Sequence, residues 1–158
     1  MTRPFAVKEV RDAGEVAEVR RLVLAHAAVR ATTPGVEHMR ADAVGLPGPY
    51  VPPRGGLWLA TSDAVGIGCV ALRPLDAGAA EVKRMFVEAA WRGRGVGRAL
   101  LETLIDGARA RDYRILRLGT LHDMRVAQTL YHSLGFTPIA RYRPDELIDT
   151  TYYELTLT

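Results

Sequence analysis

The run Arg92-Gly93-Arg94-Gly95-Val96-Gly97 is the stretch of this chain best suited to chemistry. Glycine at every second position lets several backbone N–H groups turn into one concavity, because glycine takes left-handed backbone angles at little cost. Val96, Leu100, Leu104 and Ala108 then recur at helical spacing. The run therefore opens a helix, whose N-terminus adds partial positive charge. Together with Arg92, Arg94 and Arg98, such a loop suits a diphosphate. Two common phosphate loops do not fit. A Walker A loop ends in Gly-Lys, and this chain has no Gly-Lys pair. A dinucleotide fold needs an acid about 20 residues beyond its glycines, whereas residues 113–121 carry none. Elsewhere, Cys69 lies among Ile67, Val70 and Leu72 and reads as a small core side chain. His26, His38, His122 and His132 show no metal-ligand spacing, so no metal is expected. Trp91 reads as packing.

The elements that must carry this loop follow from periodicity and breakers. Phe5 to Val10 alternates as a short strand, and Asp12 with Glu15 forms a capping-box start for a helix to about Arg30. Val36 to Val44 is a second, shorter helix. The Gly45 to Gly56 stretch holds Pro47, Pro49, Pro52 and Pro53, too many breakers for regular structure. Leu57 to Ser62 and Val65 to Leu72 read as a hairpin turning at Asp63-Ala64, with Glu81 to Val87 as a third strand. A helix over Val96 to Arg111, a strand over Ile115 to Leu121 and a helix over Asp123 to Leu134 follow, the last stopped by Gly135. Ala127, Leu130 and Leu134 form its expected buried stripe, with Tyr131 at the border. Strands Thr137 to Tyr142 and Thr151 to Leu157 close the chain. Strand, helix, strand from Glu81 to Leu121 demands one parallel pair inside an otherwise antiparallel sheet. The expected class is a mixed α/β sheet flanked by helices, one domain over residues 1–158.

The third strand breaks its own rhythm. Val82 has the opposite parity to Met85 and Val87, so a regular strand cannot bury all three on one face. A β-bulge near Lys83-Arg84 restores one apolar face, leaves Glu81 and Phe86 on an opposite, polar face, and splays the strand from its parallel neighbour. Splayed strands leave backbone groups free to pair with an extended ligand.

The run Arg92-x-x-Gly95-x-Gly97, preceded by Glu81-Val82-Lys83-Arg84-Met85-Phe86-Val87 and followed by Leu100-Leu101, resembles the acetyl-CoA motif of the GNAT superfamily of N-acetyltransferases. Ala127-x-x-Leu130-Tyr131-x-x-x-Gly135-Phe136 resembles that family's downstream helix and turn, so the likeness covers Glu81 to Phe136. One position departs. The family often carries Asn three residues before the helix alanine, where it touches the pantetheine arm, and Met124 stands there.

The resemblance implies a GNAT-like fold and direct transfer of an acetyl group from acetyl-CoA, as co-substrate, to a primary amine. It implies cofactor binding by Met85, Phe86 and Val87 and by Arg92, Gly93, Arg94, Gly95, Val96, Gly97 and Arg98. An N–H near Phe86 or Val87 is then placed to polarise the thioester carbonyl. An alkyl amine with a pKa near ~10 must lose a proton, and the leaving thiolate must gain one. Glu81 is the candidate base, directly or through water, and Tyr131 the candidate acid; His122, at a strand end, is a candidate assistant. The acceptor pocket is expected from the first two helices, the Gly45 to Gly56 loop and the Arg141 to Thr150 segment, with Tyr50, His38, Tyr142 and Arg143 lining it. These regions mix Arg, Asp and Glu, so the acceptor's charge is not legible, and a small-molecule or peptide amine both fit. The alternative is a non-catalytic acyl-CoA sensor that keeps the groove without turnover.

Composition is that of a soluble globular protein. The chain has 158 residues, 48% of them hydrophobic and 25% charged, which suffices for one core. Of 21 Lys+Arg, only Lys8 and Lys83 are lysine. There is no dense basic stripe with interleaved aromatics, so no nucleic-acid partner is expected. No apolar run approaches the roughly 20 residues of a membrane span, and the first ten residues lack a signal-peptide core. With one cysteine, a cytoplasmic protein is the expectation. A homodimer remains open.

Overall fold

A computed structural model describes residues 4–33, 35–143 and 150–158. Seven strands and four helices follow in the order β1 (Ala6–Glu9), α1 (Ala13–Val29), α2 (Val36–Val44), β2 (Gly56–Ser62), β3 (Val65–Pro74), β4 (Ala79–Val87), α3 (Val96–Ala110), β5 (Ile115–Leu121), α4 (Arg125–Ser133), β6 (Thr137–Ile139) and β7 (Thr150–Thr156). This is the element order expected from the sequence. The strands form one sheet, β1-β2-β3-β4-β5-β7-β6, in which only β4 and β5 run parallel.

Local chemistry sets the ends. Asp12 accepts from the Glu15 N–H at 2.8 Å while Glu15 reaches back to the Asp12 N–H, a complete capping box for α1. Asp63 and Ala64 both take positive φ, 49° and 65°, as a two-residue hairpin turn requires. Gly107 allows α3 to press on Trp58, since a Cβ there would sit 2.5 Å from the indole.

Both faces of the sheet are covered. One core packs Trp58, Val70, Leu72, Leu100, Leu104 and Leu116 beneath α3. The other packs Val19, Leu22, Leu57, Leu59, Cys69 and Phe86 beneath α1. The expected polar face of β4 is therefore no polar face at all: α1 and α2 lie over it, Phe86 joins a core, and Glu81 is fully buried.

The bulge is real. Lys83 pairs with Ala71 and Phe86 with Cys69, so Arg84 and Met85 together oppose Val70. Arg84 absorbs the extra residue at φ 55°, an angle uncommon for a side chain with Cβ. Val82, Met85 and Val87 consequently all pack into the α3 core. The parallel pairing of β4 with β5 covers only Ala79 to Glu81 against Ile115 to Arg117. Past that point β4 stays with β3 to Val87 and β5 stays with β7 to Leu121, so the two strands part.

Candidate active site

The parting strands open a cavity of about 410 Å³, walled by β4, β5, α1, α2 and α4. Tyr131 stands in its wall. Its ring packs 5.7 Å from Phe136 and 6.2 Å from Tyr153, and its hydroxyl donates to the Met85 thioether at 3.8 Å. Tyr131, rather than Leu130 or Leu134, is the deepest residue of α4. The expected stripe of Ala127, Leu130 and Leu134 packs against the core as partly buried side chains, and the Tyr131 ring goes deeper, against Phe136 and Tyr153. Burial pushes its phenol well above the ordinary tyrosine range, so it keeps its proton at any working pH. Thr120 of β5 also lines the cavity, and its buried Oγ1 has no hydrogen-bond partner among the described residues. A buried hydroxyl left unpaired marks a place where a ligand or water belongs.

At the mouth of the splay lies the glycine run. Gly93 and Gly95 have φ of 76° and 86°, and no atom lies within 4 Å of a Cβ built on either. These two glycines shape an open cradle. Gly95 caps α3, and the N–H groups of Val96, Gly97 and Arg98 begin the helix without intrahelical acceptors. Gly97 serves closeness instead: a Cβ there would lie 2.9 Å from Met85 Cε and 3.3 Å from Leu130 Cδ2. The arginines are arranged rather than loose. Arg92 Nε donates to the Val87 carbonyl at 3.0 Å, Arg94 stacks on Trp91 at 5.1 Å, and Arg98 donates to Ser133 Oγ at 2.5 Å. An open cradle beside parted strands has the shape to take a diphosphate on an extended amide-bearing arm.

Glu81 is placed differently from its expected role. It is 0% exposed and does not line the cavity. Oε1 accepts from Arg73 Nε at 2.8 Å and Arg143 Nη1 at 3.1 Å, and Oε2 accepts from the Tyr142 hydroxyl at 2.5 Å. Its carboxylate is held by two guanidiniums and a phenol and is set back from the cavity wall. It positions Arg143 at the cavity edge.

The acceptor-lining expectations divide. His38 and Arg143 line the cavity, as do His26 and Met39. Tyr142 turns its hydroxyl to Glu81. Tyr50 turns its own to Asp42 at 2.6 Å and belongs, with Leu46, Pro47, Val51 and Pro52, to a separate hollow against α1. No residue of the Gly45 to Gly56 loop reaches the cavity. Of the Arg141 to Thr150 segment, residues 144–149 lie outside the described residues, and Thr150 lines the cavity. His122 is exposed, 2.7 Å from Thr151 Oγ1 and away from the cavity. Met124 takes the N-cap position of α4, makes no side-chain cap and lines the cavity. Gln128 instead ties the preceding turn down, donating to the Leu121 carbonyl at 2.9 Å.

Two groups in the wall escape sequence reasoning. His26 stacks on Phe86 at 4.9 Å, and burial, aided by Arg30, Arg84 and Arg92, lowers its pKa to about 4. Lys83 is the second. Burial, with Arg84 beside it, brings its ammonium down to about 8. Cys69, by contrast, is sealed in the core with its thiol pushed up to about 12 by burial, the state of an inert packing residue. Among the described residues no cluster of three or more His, Cys, Asp or Glu is arranged for a metal, and no helix is long and apolar enough to cross a membrane.

Comparison with known proteins gives this geometry its relatives. Residues 53–138 match a family model described as an acetyltransferase (GNAT) domain. N-acetylaspartate synthetase of Danio rerio is 32% identical over 100 residues, 62% of this chain. Those residues span only 36% of that relative's length. An acetyltransferase crystal structure from Streptococcus agalactiae superposes with a TM-score of 0.82 at 23% identity, covering 99% of this chain and all of the other. A GNAT family acetyltransferase from Elizabethkingia anophelis, solved with acetyl-CoA bound, superposes with a TM-score of 0.69 at 20% identity, covering 99% of this chain and all of that one.

Proposed function

The chain belongs to the GNAT acetyltransferase family, and from that premise we propose that it transfers the acetyl group of acetyl-CoA to a primary amine by direct attack in a ternary complex. The observation that carries the reading is an open glycine cradle whose Gly97 touches Met85, on a strand that parts from its parallel neighbour to open a cavity walled by Tyr131. Acetyl-CoA, when bound, supplies an acyl carbon already activated as a thioester.

The chain's own groups then have distinct tasks. The N–H groups around Gly93, Gly95, Val96, Gly97 and Arg98 hold the diphosphate, with Arg92 and Arg94 alongside. The backbone of Met85, Phe86 and Val87, at the bulged end of β4, pairs with the pantetheine arm as an added strand would. Tyr131 holds a proton at its hydroxyl for the departing sulfur. The amine attacks as its free base, and the proton that its nitrogen sheds on acylation passes to water, from which Tyr131 is reprotonated. The cationic wall helps here, because neighbouring positive charge disfavours an ammonium.

The test is CoA release from acetyl-CoA over a panel of amines, read with a thiol reagent, beside thermal shifts with acetyl-CoA, ATP and NAD. Stabilisation by acetyl-CoA together with CoA release on at least one amine supports the transferase. Binding without release on any amine favours a sensor, and stabilisation by ATP or NAD alone removes the acyl-CoA reading altogether.

A further inference from the structure

The cavity has a sign. Its described wall carries Arg30, Lys83, Arg84 and Arg143, and neither an Asp nor a Glu. Three of the four cations are answered by carboxylates set back from the wall: Arg30 by Asp123 at 3.1 Å, Arg84 by Asp42 at 2.6 Å and Arg143 by Glu81 at 3.1 Å. Lys83 makes no hydrogen bond or ion pair with any described residue. Its strand neighbour Glu81 is occupied by Arg73, Arg143 and Tyr142. Lys83 therefore stands as a half-buried ammonium in the wall of the cavity where the acyl acceptor must sit.

We propose that the acceptor is a small amine bearing a carboxylate, and that Lys83 is the residue that binds that carboxylate. The assignment rests on the transferase reading above and adds the charge class of its second substrate. A half-buried cation with no ion-pair partner among the described residues is costly, and an anionic substrate supplies a partner on binding. The burial that lowers the Lys83 pKa to about 8 leaves it mostly protonated at neutral pH, ready for that partner. A polyamine would bring further positive charge against Lys83, the cation of the described wall that no carboxylate answers. A cavity of about 410 Å³ suits a compound of amino-acid size. The orphaned Thr120 hydroxyl in the same wall offers a second polar contact.

The experiment compares L-alanine, L-aspartate, L-glutamate and 4-aminobutyrate with their fully amidated counterparts, and putrescine as a dication. Rates are expressed per concentration of free base, so that differences in amine pKa cancel. At least one carboxylate should exceed its amide in kcat/KM by about tenfold, as a charge-assisted hydrogen bond predicts. Lys83→Gln should collapse that preference towards one, chiefly through KM; Lys83→Glu should invert it, and Lys83→Arg should retain most of it. Turnover that favours amides or putrescine overturns the anionic assignment while leaving the transferase intact. A preference unchanged in Lys83→Gln removes Lys83 from the role. If no amine of the panel turns over, the transferase reading fails for it, and calorimetry with L-aspartate against its diamide decides the anion site. Carboxylate binding that is lost in Lys83→Gln supports the site, and no binding by wild type overturns it.

Discussion

His26 gives the folded state an acid limit that can be measured apart from catalysis. Its ring lies parallel to Phe86, 18° between planes, under a wall that also carries Arg30 and Arg84. Burial first, and then the fields of Arg30, Arg84 and Arg92, depress its pKa from 6.5 to about 4. An unfolded chain takes up this proton near pH 6.5, whereas the folded protein takes it up only near 4. Between those values the unfolded state binds more protons, so stability falls as pH falls. A gap of about 2.5 units, at about 1.36 kcal/mol per unit, has an upper value of about 3 kcal/mol. His26→Phe keeps the aromatic stack and removes the titration. Urea unfolding of both proteins, followed by tryptophan fluorescence, isolates the effect, since carboxylate titrations common to both cancel in the difference. From pH 7.5 to 4.5 the wild type should lose about 2–3 kcal/mol relative to the variant, a Tm displacement of about 5–10 °C for a chain of this size. A difference that stays flat within about 0.5 kcal/mol over that range would refute the reasoning. So would an imidazole NMR titration centred near 6.5.

Three substitutions address the site directly. Tyr131→Phe removes a hydroxyl whose one described partner is a thioether, so stability should change by less than about 1 kcal/mol while kcat drops about 100-fold with acetyl-CoA affinity retained; full activity removes the acid role. Gly95→Glu places a side chain at φ 86° and an anion in the cradle, and calorimetry should find acetyl-CoA binding abolished; unchanged affinity would contradict the loop assignment. Glu81→Gln leaves Arg73 and Arg143 facing a neutral amide, and urea titration should show a loss of about 2–4 kcal/mol with activity lowered by the same factor at every pH. A loss of rate confined to low pH, with stability intact, would restore Glu81 as a base.

The order of elements was legible because breakers and periodicity fall in separate places: Asp63-Ala64 between two alternating runs, Gly135 after a helical one. The bulge was legible from the parity conflict between Val82 and Met85 alone. Contacts between elements were not. Glu81 looks like a solvent-facing acid because alternation puts it opposite the apolar side, yet α1 and α2 cover that side, and its partners Arg73 and Arg143 come from 8 residues before and 62 after. The Gly45 to Gly56 loop looked like a pocket wall because its prolines prevent regular structure, but Tyr50 is drawn to Asp42 and away from the cavity. Lys83 does carry a mark in the sequence: it is one of two lysines in the chain, beside the bulge, in a run otherwise apolar except for Glu81 and Arg84.

The extra residue in β4 joins these features into one cause. Were the same residues to run as a regular strand without the bulge, Met85 and Val87 would turn towards α1 and Phe86 towards α3, since a shift of one residue exchanges the faces of a strand. With it, Met85 stays in the α3 core within reach of both Gly97 and Tyr131, tying the start of α3 to the tyrosine of α4. The same residue, Arg84, takes the left-handed angle and is anchored there by Asp42 of α2, so the helix over the acceptor side helps to hold the bulge. Because the distortion lies immediately beyond the last β4–β5 pair, at Glu81 and Arg117, backbone groups are released where the glycine cradle and the cationic wall meet. The parted strands, the contact of Met85 with Gly97 and Tyr131, and the placing of Lys83 and Arg84 in the cavity wall thus meet at one irregularity in one strand.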